Sequence, residues 1–374
     1  MLFQTDLKTL RGALKRAARI FDRSDLATAH LLAHPGTLTI RAHCGGVERD
    51  EAIGALGPGQ GAWEVDLRDL LPALEPLGDG QVVFSTPREA LGPDGRAARV
   101  NLVPSIPPAP ASVCASSVHV DRAGLVDALD RVSYAMSRDV ARVNLWGVEL
   151  RQVEAGLRWT ATDGHRLASV TAPASDPFGL PDRGIFLSRR AATEISKSLR
   201  EGRKAGHARI GWALSGGGPR WLHLQTMEVV VRARAESITP PPYAAVVSPP
   251  SPVSVTLDPR EVLRVAKALR SAECIVLEVG PDVSRLRSPG ADSAHRIPIA
   301  ARSTSWVAVG VQPRYLADLV EHAPTLPDGS LVIEVVDLGR GGSQTLTVRG
   351  SGAVHVLASH GLPEDDPAHP KNRK

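Results

Sequence analysis

The densest cluster of reactive side chains is TDGHRL at 162 to 167, where Asp163, His165 and Arg166 bring a carboxylate, an imidazole and a guanidinium together. Such a set suits acid–base chemistry or the grip of an anion. Its flanks point elsewhere. Asp-Gly is a strong turn dipeptide, and WTAT before it and LASV after it read as strands, so the spacing predicts a hairpin tip, with binding as the second reading. His30 and His34 have the i, i+4 spacing of helical metal ligands, but Pro35 and the strand pattern after it disfavour a helix. Cys44, Cys114 and Cys274 are far apart and odd in number, which fits neither a zinc ribbon nor a disulfide framework and suits a reducing cytoplasm. The chain carries no GxxxxGK[ST], no GxGxxG after a strand, no HExxH and no GxSxG. The glycine runs GPGQG (57 to 61) and SGGGP (215 to 219) lie between strand-like segments and read as turns. A non-catalytic protein without metal or cofactor is the expectation.

The elements that position these residues repeat along the chain. With 374 residues, two or three domains are expected. Two proline-rich stretches, VPSIPPAPASVCAS (103 to 116) and TPPPYAAVVSPPSP (239 to 252), read as linkers and leave three pieces of similar length. Each piece opens with a short alternating strand, an aspartate and an amphipathic helix: LFQTDLKTLRGALKRAARIF, SVHVDRAGLVDALDRVSYAM and SVTLDPREVLRVAKALRSA. Asp6, Asp121 and Asp258 are the expected N-caps, and Pro259 suits a first helical position. A second strand-helix-strand unit follows in each piece, so each domain should hold two sheet-plus-helix units and two helices. Segments such as GTLTIRAHC, LRWTATD, HRLASVTAP, RWLHLQT and SQTLTVRG read as antiparallel strands with one buried face. The fold class is therefore α+β.

Charge is unevenly placed. The whole chain has a formal net charge of +4, yet the helix near 6 to 23 holds six basic residues against two acidic ones, and the segment 188 to 204 repeats that excess. Aromatic residues are only 4%, which argues against base stacking and leaves the phosphate backbone as the partner such helices suit. No apolar run approaches a membrane span, and the N-terminus lacks the pattern of a secretory signal.

The stretch VSYAMSRDVARVNLWGVELRQVEAGLRWTATDGHRLASV (132 to 170), with its ATDGHRL signature, resembles the middle domain of the bacterial DNA sliding clamp family, the beta subunit of DNA polymerase III. The repeat openings, the SRR segment before 191 and the Pro-Pro-Tyr turn at 241 to 243 fall in family order, so the likeness covers nearly the whole chain. It implies three topologically similar clamp domains, at 1–110, 117–240 and 252–362, followed by a flexible tail at 363–374. It further implies a head-to-tail homodimeric ring with helices on its inner face, encircling duplex DNA without reading its sequence and kept there by closure. DNA contacts are implied at Arg23, Arg138, Arg142, Arg189, Arg190, Lys197 and Arg203. A cleft for linear peptides of DNA polymerase, the clamp loader and repair proteins is implied at Leu145, Thr162, Gly164, His165, Arg166, Leu167, Pro241, Val246 and Leu357. The implied role is a processivity factor in the cytoplasm, associated with the nucleoid; a clamp-fold protein that binds a partner without encircling DNA is the alternative. Two departures stand out. Ala245 replaces the usual arginine before Val246, and VHVLASHGL (354 to 362) replaces the Met-Pro-Met-Arg-Leu end, which removes adaptable thioethers from the cleft.

Overall fold

All three capping aspartates cap helices. Asp6 accepts from the Thr9 N–H at 2.8 Å, Asp121 from Gly124 at 2.7 Å and Asp258 from Arg260 at 2.8 Å, each satisfying a donor that the first turn leaves open. The Thr9 hydroxyl and amide hold the Asp6 carboxyl below its ordinary range. A computed structural model describes residues 2–57, 60–106, 116–174, 180, 184–201, 206–214, 220–289, 296–303, 305–337, 344–359 and 366. Arg203, Cys114, the SGGGP run and most of the tail lie outside the described residues.

Six α-helices occur among the described residues, two for each expected piece: α1 (Leu7–Ala18), α2 (Leu67–Leu74), α3 (Arg122–Ser133), α4 (Arg189–Arg200), α5 (Pro259–Ala268) and α6 (Pro313–His322). Around them one antiparallel pairing recurs three times. The opening strand of each piece pairs with the strand that follows its second helix: Phe3–Asp6 with Gln81–Thr86, Ser116–Asp121 with His207–Leu214, and Ser254–Leu257 with Leu331–Asp337. The protein is thus an α+β repeat of sheet-plus-helix units. The segments read as half-buried strands are strands, and His30 and His34 lie on the strand Thr28–His34.

By contacts the chain divides into two compact units, one of residues 1–126 and 173–237, the other of 127–172 and 238–374, with the boundary inside α3. In the first unit, Leu7, Leu10 and Leu14 of α1 pack with Phe3, Trp63 and Phe84, and the Phe3 and Phe84 rings stack at 4.5 Å. The strand Val47–Leu56 pairs with Val229–Glu236, from Glu51 opposite Val229 to Val47 opposite Ala233. In the second unit, the strand Arg166–Ala172 pairs with Ala353–Ala358, from Arg166 opposite Leu357 to Val170 opposite Ala353. Both pairings join the last strand of one piece's first half to the last strand of the next piece's second half.

Neither expected linker is wholly free of structure. Val103–Pro104 pairs with Gly61–Asp66 as a short strand, because Pro104 can lie at an edge where no donor is required. In the second stretch Tyr243–Ala245 forms a 3₁₀ turn, and the Ser251 hydroxyl donates to the Val335 carbonyl at 2.7 Å. The tail was expected to be flexible. Its one described residue departs from that, since Asp366 is buried and meets Arg287 through two bonds of 2.6 and 2.7 Å.

Behind the pairing of Val47–Leu56 lies a charge network. The Arg49 side chain is 1% exposed and donates to Glu51, Glu194 and the Ser198 hydroxyl, each at 2.8 Å, and also to Glu201. Burial pushes the Glu51 carboxyl up, but the bonds from Arg16 and Arg49 outweigh it and leave Glu51 below its ordinary range. At Glu194 burial wins and the carboxyl is raised. Replacing Arg49 by methionine leaves buried Glu194 without its cation, while Glu51 keeps Arg16 and Glu201 keeps Arg16 and Arg19. Arg49→Met is expected to lose about 3–5 kcal/mol of unfolding free energy at pH 7. Glu194, already raised by burial, is raised further without Arg49, so the deficit shrinks as pH falls from 7 towards 5 in urea melts; a deficit independent of pH contradicts the assignment.

Candidate functional site

TDGHRL folds as a self-bonded turn. Asp163 Oδ1 accepts from the backbone N–H of His165 at 3.0 Å and of Arg166 at 3.1 Å, while the Thr162 hydroxyl donates to the Arg166 carbonyl at 2.6 Å. Gly164 has φ 92°, a conformation that suits glycine. Arg142 donates to the Asp163 carbonyl at 2.9 Å and its guanidinium lies over Gly164. That bond ties the turn to the loop 138–144, which is exposed along its whole length and carries Arg138, Val140 and Val143. The loop is closed at its base by the Ser137 N–H bonded to the Leu145 carbonyl at 3.0 Å.

Arg166 points away from solvent. It pairs with Asp163 at 3.0 Å and with Asp318 of α6, and its guanidinium lies 5.1 Å from the ring of Tyr134 and 4.7 Å from that of Tyr315. The Tyr134 hydroxyl bonds His355 Nδ1 at 2.9 Å and its ring stacks on His322 at 4.6 Å, while exposed His165 stacks on Tyr315 at 5.6 Å. The result is a polar, aromatic layer inside the second unit, joined to the turn through Arg166 and His165.

The residues expected to form a peptide cleft all fall in this unit, but its aliphatic floor is covered. Leu145 and Leu167 are only 6% and 2% exposed, and Thr162 is buried. Val246 is 47% exposed, Pro241 is half-buried, and Gly164 and His165 are exposed. Leu357 is fully buried. Strand register puts it opposite Leu346 in the third piece's core, and Val356 is the residue opposite Leu167. A one-residue step along a strand reverses the face, which is why the segment VHVLASHGL alone did not assign it.

The basic residues are divided between structure and surface. Arg23, Arg138 and Lys197 are exposed. Arg189 is half-buried, and Arg190 is held by Asp22 and Asp25 and donates to Cys44 Sγ at 3.0 Å. Within α1 the large positive count is reduced. Arg11 donates to the Leu74 and Glu75 carbonyls at the end of α2, Arg16 pairs with Glu51, and Arg19 meets Glu201 at 3.0 Å. Lys8 and Lys15 remain exposed. The sequence reading missed α5, where Arg260, Arg264, Lys267 and the following Arg270 are all exposed. Their i, i+4, i+7 spacing was the available signal, masked because that segment has no unusual net charge.

The fold is a repeat of sheet-plus-helix units of the DNA-clamp type. Residues 119–211 match the family described as DNA polymerase III beta subunit, central domain. A curated relative, the beta sliding clamp of Rickettsia bellii (strain RML369-C), is 25% identical over 209 residues, 54% of this chain and 55% of that one, so the match spans about half of each. Among solved structures, the sliding clamp of Bartonella birtlesii bound to griselimycin is 20% identical with a TM-score of 0.81, covering 96% of this chain and 99% of that one. The Caulobacter crescentus clamp is 19% identical with the same TM-score and the same coverage. That of Pseudomonas aeruginosa bound to griselimycin is 17% identical with a TM-score of 0.82, covering 97% and 100%. The fold is that of the bacterial DNA sliding clamp.

The buried imidazole gives this layer a pH signature. Burial first, then repulsion from Arg131 and His322, pushes His355 down to about 3, and burial lowers His322 as well. A histidine depressed in the folded state stabilises fully above its unfolded value, near 6.5, and that contribution is lost as pH falls towards 3. The melting temperature should fall from pH 7 to pH 4, and His355→Gln, which keeps an acceptor for Tyr134, should flatten that fall. An identical slope in the variant contradicts the assignment.

Proposed function

We propose that the chain is the subunit of a DNA sliding clamp: two copies close head to tail around duplex DNA and tether a DNA polymerase and other proteins that carry short linear peptides. Its three domains are 1–110, 117–240 and 252–362. The role is tethering, and no helix among the described residues is long and apolar enough to cross a membrane.

The observation that carries this reading is the pairing rule of the sheets. Twice, the last strand of a piece's first half pairs with the last strand of the next piece's second half. In the two remaining halves the last strands, Ala301–Ser303 and Val103–Pro104, pair within their own piece with Ser254–Leu257 and Gly61–Asp66, which leaves the strands before them, Arg296–Pro298 and Ala97–Arg99, at the sheet edges. Among the described residues each has one strand partner only, Ser284–Arg287 and Glu89–Leu91 respectively. Unpaired strand edges of complementary type on one chain fit a heterologous contact with a second copy. The likeness to solved sliding clamps over 96–97% of the chain supports the same arrangement.

For partner binding, the exposed Val246, half-buried Pro241 and exposed His165 are the accessible part of the expected site. The buried Leu145 and Leu167 would act as its floor once a peptide side chain displaces what covers them.

The test is topological. The full-length protein is loaded on a nicked circular duplex with a bacterial clamp loader and ATP, then filtered at high salt. Retention on the circle, lost when the DNA is cut to a linear form, is expected. Equal retention on both forms, or none on either, overturns the reading.

A further inference from the structure

The four-stranded sheet of the third piece runs in the order Arg296–Pro298, Ser284–Arg287, Ile275–Val279 and Val307–Val311. On one face Ile275, Leu277, Leu286 and Val309 share a core with Val262 of α5 and Leu316 of α6. Alternation turns Val276, Glu278, Arg287 and Ala308 to the other face. A sheet packed on helices by one face leaves the opposite face to water. Here that face is closed: Val276 and Ala308 form a separate buried cluster, and Glu278 and Arg287 are each 3% exposed. The first piece shows the contrast. Counted back from the helix caps Asp66 and Gln312, Ala62 and Glu64 correspond to Ala308 and Gly310, yet Ala62 is half-buried and Glu64 is exposed, whereas Ala308 and Gly310 are buried.

The closed face is organised around a carboxylate. Arg287 Nε donates to Glu278 at 2.6 Å, and its two terminal nitrogens form a fork on Asp366 at 2.6 and 2.7 Å. Arg285 also donates to Glu278, at 2.6 Å. Two arginines to one glutamate leave an excess positive charge, and a buried guanidinium is stable only where its donors and its charge are both met. Asp366 meets both. It is itself fully buried, and it lies 79 positions from Arg287, beyond the last strand, Ala353–Ala358. Two parallel bonds fix direction as well as distance, which distinguishes this shaped site from an exposed ion pair. Cys274, just before the strand Ile275–Val279, is buried close enough to Asp366 and Arg287 to feel both charges. Register places Arg287 opposite Arg296, one strand in from the sheet edge.

We propose that Arg287 and Glu278 form a carboxylate-binding site on the outward face of this sheet, and that its occupant is the chain's own C-terminal segment, latched there by Asp366. The segment acts as a strap. Closed, it shields Cys274 and steadies the strand beside the edge; open, it returns the Arg287 guanidinium to water. The inference goes beyond the clamp reading and holds whether or not two copies encircle DNA.

The experiment follows alkylation of Cys274 by iodoacetamide in the full-length protein carrying Cys44→Ser and Cys114→Ser, with amide exchange in α6 measured alongside. Burial pushes the Cys274 thiol up to about 11, so it reacts slowly while the strap is closed. Asp366→Asn should raise the alkylation rate by about tenfold and leave exchange in α6 unchanged. Arg287→Lys, which keeps the charge and loses the fork, should do the same, and the two changes together should add nothing further. The lysine variant carries the comparison if the asparagine variant melts early. An unchanged rate in both variants overturns the proposal. So do effects that multiply in the double variant, or a loss of protection that extends equally through α6.

Discussion

Two buried arginines hold the pieces of each unit together, and they are the same device used twice. Arg49 lies on the strand Val47–Leu56, whose exposed edge is taken up by Val229–Glu236, and its guanidinium reaches Glu194 of α4. Arg166 opens the strand Arg166–Ala172, which is taken up by Ala353–Ala358, and its guanidinium reaches Asp318 of α6. Glu194 and Asp318 are both the sixth residue after their helix caps, Ser188 and Gln312. Backbone pairing supplies the affinity of these seams, and the arginine fork fixes their register, since a buried guanidinium tolerates no slip that leaves its carboxylates unpaired. In α2 the corresponding residue is Pro72. A seam formed by the two remaining edges would lack this lock.

The features legible in the sequence are those set by local chemistry. Aspartate caps, apolar periodicity and the Asp-Gly turn are fixed by neighbours a few residues away, so the threefold repeat and the hairpin at 162–167 could be read directly. Charge could not be read in the same way. Arg16, Arg19 and Arg190 counted as surface cations, yet they meet Glu51, Glu201, Asp22 and Asp25, some of them more than 150 positions away. Conversely, Arg260 and Arg264 attracted no notice until the packing of Val262 and Val265 showed which side of α5 is outward.

The candidate peptide site shows a second limit. Leu357 and Val356 are equally apolar, and only the pairing of Val356 with Leu167 and of Leu357 with Leu346 separates their faces. The core side of this strand is filled by Leu357 and its polar layer by His355 and Tyr134. Its outward surface is formed by the exposed Ala358 and half-buried Ser359, which offer less polarizable area than a thioether would.

The account as a whole requires the edges of Ala97–Arg99 and Arg296–Pro298 to find each other on separate chains. Sedimentation equilibrium of the full-length protein at micromolar concentration and moderate salt measures this most directly. A species with the mass of two chains is predicted. A single-chain mass that persists to tens of micromolar contradicts the account.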